Sequence, residues 1–146
     1  MDLSYALTPF LAWVVAGGTK FLINSLRAGA PAFGQIGYGG LPSNHSAIVS
    51  SMAALIAWRE GLGHPAFGVA VTLAFIVVLD AASLRREVGK HAAALNRLAA
   101  GAGSNPQRPL RERMGHRPVE IAAGIAVGVA VASAVHWLGR GALAGA

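Results

Sequence analysis

Two histidines stand where helices are expected to begin. His45 lies in Gly39-Gly40-Leu41-Pro42-Ser43-Asn44-His45-Ser46, and His116 lies in Gly115-His116-Arg117-Pro118-Val119-Glu120, each just ahead of an apolar run. Two glycines permit a tight turn. Pro42 with Ser43, and Pro118 at a first helical position, suit helix starts. A helix N-terminus offers unpaired N–H groups and the positive end of its dipole, which favours a phosphate. An imidazole in the first turn can give a proton to a leaving oxygen. His116 and Glu120 are four apart, so the carboxylate can reach back toward the ring. A carboxylate on one ring nitrogen makes the other a better base or nucleophile. Both blocks also have an ordinary reading: capped helix starts, with an incidental histidine in one and Glu120 complementing the dipole in the other.

Cations and one more acid accompany them. Lys20 and Arg27 are seven apart, which puts them on one face of a continuous helix two turns apart. They read either as snorkelling interfacial cations or as anion ligands. Asp80 sits near the end of an apolar run with Arg85 and Arg86 just after it. It needs a partner there, because an unpaired charge in such a place is costly. An ion pair with one arginine meets that need and is compatible with orienting the arginine toward a phosphate. His91, next to Lys90, falls on a surface helix or in the pocket. Two histidine-bearing helix starts and a set of fixed cations make a site for phosphoryl transfer. No carboxylate cluster suits Mg²⁺, so metal-free chemistry without a cofactor is expected.

These residues must be held by elements that suit a membrane. Of 146 residues, 54% are hydrophobic and 12% charged, about half the charged share of an ordinary soluble domain. So short a chain cannot hide that much apolar surface from water, and the balance excludes a disordered protein. With no Cys, a disulfide framework, a thiolate metal site and a Cys nucleophile are excluded. Apolar runs cover about Leu3–Leu26, Ser46–Trp58, Pro65–Leu84 and Pro118–Leu138. A crossing helix needs about 20 residues. The second run is short by that measure, so it starts below the interface or buries its polar N-terminal end against protein. The first run reads as a membrane helix rather than a cleavable signal peptide: Asp2 is its only early charge and the run is long.

Leu84–Ala100 puts Val88, Ala92, Leu95 and Ala99 on one side and Arg86, Lys90 and Arg97 largely on another, as an amphipathic helix at a membrane surface does. Gly101 to Asn105, with Pro106 and Pro109 beyond, reads as a loop. The expected fold is an all-α membrane bundle, one domain over residues 1–146, with about four transmembrane helices and one cytoplasmic amphipathic helix. Orientation follows from charge. Ten of the twelve Lys and Arg fall in the first and third connections: Lys20, Arg27, Arg85, Arg86, Lys90, Arg97, Arg108, Arg111, Arg113 and Arg117. Only Arg59 and Arg140 lie opposite, so the basic side is expected to be cytoplasmic and both termini outside. Gly124, Gly128 and Ala132 are spaced by four, a small-residue face for close helix packing within or between chains.

Lys20-x6-Arg27, Pro42-Ser43-Asn44-His45 and His116-x3-Glu120, followed by Ile121-Ala122-Ala123-Gly124 and Gly128, resemble the type 2 phosphatidic acid phosphatase (PAP2) superfamily, which includes the vanadium-dependent haloperoxidases. The closer resemblance is to its divergent branch of small membrane proteins. That branch carries Gly-Gly-x-Pro-Ser-x-His-Ser, Asp-Ala-x-x-x-Arg-Arg and Gly-His-x-Pro-x-Glu blocks, found here at Gly39–Ser46, Asp80–Arg86 and Gly115–Glu120. The resemblance covers roughly Lys20 to Leu138. It implies phosphate binding by Lys20, Arg27 and Ser43, His45 as general acid, His116 as the nucleophile that forms a phosphohistidine, and Glu120 in the place of the usual orienting Asp. The superfamily has an Arg six residues before the third-motif histidine, whereas this chain has Leu110, with Arg108 and Arg111 off register. Arg85 has that spacing to His91, but position 95 is Leu95 rather than an acid. His116 and Glu120 are therefore assigned by their helix-start context, and Arg85 or Arg86 is expected to replace the missing arginine. Asp80, Asn44 and His91 are candidate supporting residues.

The resemblance implies a membrane phosphatase for a lipid phosphate or prenyl (di)phosphate, and the charge bias puts its site at the cytoplasmic face of a bacterial-type inner membrane. Its rivals are a non-catalytic protein binding a phosphorylated lipid and a lipid phosphotransferase. The expected partners are the bilayer, the phosphorylated lipid and a possible second copy in a homodimer. Nucleic acid is not expected, since the basic residues sit in gaps between apolar runs.

Overall fold

The computed structural model describes residues 3–33, 40–102, 109–112 and 114–144, with side chains as far as residue 140. Gly39, Arg108, Arg113 and the expected loop residues Gly103 to Pro106 lie outside the described residues. Every regular element among the described residues is helical: α1 (Ser4–Ala28), α2 (Asn44–Glu60), α3 (Pro65–Leu79), a π-helical turn (Asp80–Leu84), α4 (Arg85–Gly101) and α5 (Pro118–Ala144).

Local chemistry sets the boundaries. α1 stops at Gly29, whose φ of 64° is left-handed, a conformation glycine adopts without steric cost. Ser43 caps α2, its hydroxyl accepting from the Ser46 N–H at 3.3 Å. α3 begins with Pro65 in its first turn and His64 accepting the Ala66 N–H at 3.2 Å.

α2 is the central helix. It packs on α1, α3 and α5, and α1 also packs on α5. At 17 residues it is about 25 Å long, short of a bilayer's roughly 30 Å apolar core. Its polar start is buried instead: Ser43 and Ser46 have no exposed surface. The hydroxyls along it are satisfied within the helix, Ser50 donating to Ser46 O at 2.6 Å and Ser51 to Ile48 O at 2.8 Å. Among the described residues, three helices around it have the length and apolarity of membrane spans: Ser4–Ala28, Pro65–Gly101 and Pro118–Arg140.

The small-residue face of α5 packs within the chain. A Cβ on Gly124 would lie 2.9 Å from Ser46 Cβ and run into the Ser43 carbonyl, and one on Gly128 would run into Ser50 Oγ and the Ala47 carbonyl. Ala132 is fully buried. At the far end of the bundle Tyr5 donates to the Glu60 carboxylate, Arg59 donates to Ser4 Oγ, and the Arg59 guanidinium lies 5.2 Å over the Tyr5 ring. The antiparallel α1–α2 pair is thereby pinned at the end away from the histidines.

The amphipathic segment differs from its sequence reading. It is the continuation of α3 in one 37-residue helix, because no Gly or Pro interrupts Asp80–Arg86. The surplus residue is absorbed in the π turn. Of its apolar side Ala92 is buried, together with Gly89, while Val88 and Leu95 remain exposed, as residues that face lipid do. The stretch before α5 lies against Gly89, where a Cβ would strike the Glu112 carbonyl.

Candidate active site

A cavity of about 670 Å³ opens at the end of the bundle where α1 finishes and α2 and α5 begin. Lys20, Asn24, Asn44, His45, Arg85, Arg111 and His116 supply its polar wall. Thr8, Ala12 and Ala16 are the buried positions of α1, and Lys20 and Asn24 extend that four-residue rhythm. The helix phase therefore turns both toward the cavity.

The π turn organises the remaining groups. The Ala81 carbonyl accepts the His116 N–H at 2.9 Å, which docks the His116 segment on the turn. Single π turns inside α-helices are frequent at functional sites. Arg85 begins the next helix. Its Nε lies 3.6 Å from the Asp80 carboxylate, and its Nη2 lies 3.1 Å from His45 Nε2. A guanidinium only donates, so His45 Nε2 accepts in this arrangement, and its proton sits on Nδ1. The His45 and His116 rings meet edge to face, with centroids 5.9 Å apart. His116 is only 6% exposed, and its Nδ1 has no hydrogen-bond partner. Burial pushes the His116 pKa below the ordinary 6.5; Lys20, His45 and Arg85 add to the fall, and Glu120 opposes it.

Gly115 shapes this turn. Its φ is 91°, and a Cβ would stand 3.2 Å from the Arg86 nitrogen. The left-handed conformation and the close approach both call for glycine.

Several expected site residues sit elsewhere. Arg27 is exposed and outside the cavity wall. It shares the Lys20 face but lies about 10 Å further along the axis. Arg86 is exposed on another side of the helix from Arg85, so of these two it is Arg85 that enters the cavity. His91 is exposed on α4. Ser43 is buried behind the wall; its N–H donates to Glu120 O at 2.8 Å and its hydroxyl bonds Ser46. It caps α2 and joins α2 to α5 rather than facing the cavity. The Glu120 carboxylate accepts the Arg117 N–H at 3.1 Å, as a helix-start cap does, and makes no hydrogen bond to His116 Nδ1.

Asn24 and Arg111 are lining residues not singled out from sequence. The i, i+4 relation of Asn24 to Lys20 was the available signal. Arg111 arrives through a clamp: Asn96 accepts the Leu110 N–H at 2.9 Å and donates to Leu110 O at 2.8 Å and to Glu112 Oε1 at 2.9 Å. Asn96→Ala should free this stretch. Three bonds are lost at about 1 kcal/mol each, so amide exchange at Leu110, Arg111 and Glu112 should quicken by about a hundredfold while the helices keep their protection. Unchanged exchange would mean that Gly89 packing and the His116 N–H to Ala81 carbonyl bond hold the stretch without the clamp.

The other wall of the cavity is apolar, with Trp13, Val14 and Phe21 from α1 and Phe33 beyond it. The site thus presents cations and imidazoles at one part and hydrocarbon surface at the rest, inside a bundle of membrane-length helices.

Residues 2–131 match the family model described as the divergent PAP2 family. An uncharacterized membrane protein of Bacillus subtilis (strain 168), YuiD, is 31% identical over 105 residues, a match covering 62% of this chain and 66% of that protein. The chain thus spans about two thirds of the length of this curated relative. No solved structure matches it. The family blocks recognised around His45, Asp80 and His116 are the residues that the fold gathers at one end of the bundle, and the chain belongs to the divergent PAP2 family.

Proposed function

We propose that this membrane protein is a phosphatase that hydrolyses a lipid phosphate or prenyl (di)phosphate at the cytoplasmic face through a phosphohistidine. The observation that carries the reading is the His45–His116 pair, 5.9 Å apart, in the polar wall of a cavity otherwise lined by hydrocarbon. Lys20 and Arg85 neutralise the phosphate oxygens. A ring nitrogen of His116 attacks phosphorus, the P–O bond to the leaving group breaks, and His45 protonates the departing oxygen. Water then attacks the phosphohistidine, His45 takes the water proton, and phosphate leaves with His116 regenerated. A bound phosphate competes for Arg85, which releases His45 Nε2 to take a proton from solvent, the proton it then donates to the leaving oxygen and regains from water in the second step. The concentration of cations around Arg85 supports the cytoplasmic side.

A binding protein without turnover is the second reading. It is favoured by Glu120 capping Arg117 rather than holding His116. The deciding experiment is phosphate release by the detergent-purified protein from phosphatidic acid, phosphatidylglycerophosphate, and prenyl mono- and diphosphates. Release supports the phosphatase. Binding of a lipid without release supports the second reading. The pH profile is a further check. The nucleophile must be neutral, and burial disfavours its charged form. The acid limb of kcat/KM should therefore fall below the ordinary 6.5. An acid limb above that value would count against His116 as the attacking group.

A further inference from the structure

We propose that the Gly17–Gly18 face of α1 is a groove that seats the first part of the substrate's hydrocarbon chain, making Gly18 a specificity-determining position. The inference rests on the cavity being the phosphate site. Trp13, Val14, Gly17, Gly18 and Phe21 all line that cavity, and their spacing places them on one helical face. The same face carries Lys20 and Asn24 at its polar end. From Lys20 back to Trp13 is seven residues, about 10 Å along the axis. A chain attached to a phosphate held at Lys20 therefore meets the notch and then the Val14–Trp13 surface.

Helix packing does not account for Gly18. On α5, Gly124 and Gly128 are pressed against α2, whereas a Cβ on Gly18 would meet nothing within 4 Å. A Cβ on Gly17 would stand at an ordinary 3.7 Å from Asn44 Nδ2. A mid-helix glycine is unfavourable relative to alanine, and here it leaves space rather than close contact. The segment after α1 closes the groove beside the polar end. Ala32 N–H donates to Ser25 Oγ at 3.1 Å, and the Phe33 ring comes within 5.1 Å of the Phe21 ring, centroid to centroid. The occupant is the substrate's own chain because the groove is continuous with the cationic wall.

The test compares Gly18→Leu with Gly68→Leu, a glycine on α3 that also has open space around it. Both variants should fold, as judged by unchanged thermal unfolding in detergent. Filling the groove should lower the ratio of kcat/KM for dodecyl phosphate over methyl phosphate by about tenfold or more, and Gly68→Leu should leave that ratio alone. A ratio unchanged in Gly18→Leu, with hydrolysis intact, overturns the groove and puts the chain in bulk lipid. Should nothing be hydrolysed, calorimetric binding of octylphosphonate and methylphosphonate decides. A preference for octylphosphonate that Gly18→Leu removes sustains the groove while the phosphatase reading falls. Equal binding of the two by the wild type, or no binding, overturns the groove.

Discussion

His116→Ala should reduce phosphate release to background, a fall of about 10⁴-fold or more, because the covalent route disappears with its nucleophile. His45→Ala should cost about 10²–10⁴-fold, the usual worth of a positioned acid. The double variant should be no worse than His116→Ala alone, since groups acting as a unit are not additive. Labelled substrate should leave acid-labile label on the wild-type protein and none on His116→Ala. The ring already has the features of a nucleophile: nine-tenths burial, an Nδ1 without partner and a pKa held down. Full activity in His116→Ala would end the phosphohistidine proposal. If activity were instead lost in His91→Ala, the third motif would have been assigned to the wrong histidine.

The parts of this site legible in the sequence are those that short-range signals position. A helix start aims Asn44 and His45, and a glycine turn followed by Pro118 aims His116; Lys20 was marked by its place on the first apolar run, and the buried rhythm of Thr8, Ala12 and Ala16, seen only in the fold, turns it inward. Spacing alone did not place Arg27. Seven residues set its angle correctly but carry it about 10 Å past Lys20, outside the cavity wall. The choice between Arg85 and Arg86 depends on helix phase just after the π turn Asp80–Leu84. That turn shifts the phase in a way an apolar pattern does not reveal. The pattern gave α4 an apolar face of Val88, Ala92, Leu95 and Ala99; Ala92 is buried as part of it, but the close packing at Gly89 has no apolar signal. Arg111 depends on a long-range clamp from Asn96, which has no local signature. Glu120 had two local readings, and the cap on Arg117 won because the N–H of a first turn is the nearer donor.

Gly128→Leu should be the most damaging substitution away from the cavity. The small-residue face was legible as a face, but its partner was not; the fold presses it against α2. Even the Cβ would meet Ser50 Oγ and the Ala47 carbonyl, so the branched remainder has nowhere to go unless α5 moves off α2. Overpacking of this kind costs about 1–3 kcal/mol and sometimes more, and no hydrophobic drive in a bilayer recovers it, since lipid is as apolar as leucine. Thermal unfolding in detergent should fall by about 5–10 °C, with Gly128→Ala intermediate. Activity should fall as well. The Ser43 N–H to Glu120 O bond sets the start of α2 against the start of α5, and Gly124 packs at that same level. Parting the helices at Gly128 would disturb the spacing between His45 and His116. Particle mass in detergent separates this account from pairing between chains. A face used within the chain predicts lost stability at unchanged mass. A lower mass at unchanged stability would mean that Gly128 joins two copies. The open surroundings of Gly18, where leucine should be tolerated thermally, make the contrast internal to one protein: both glycines lie within helices, but only one is held there by contact.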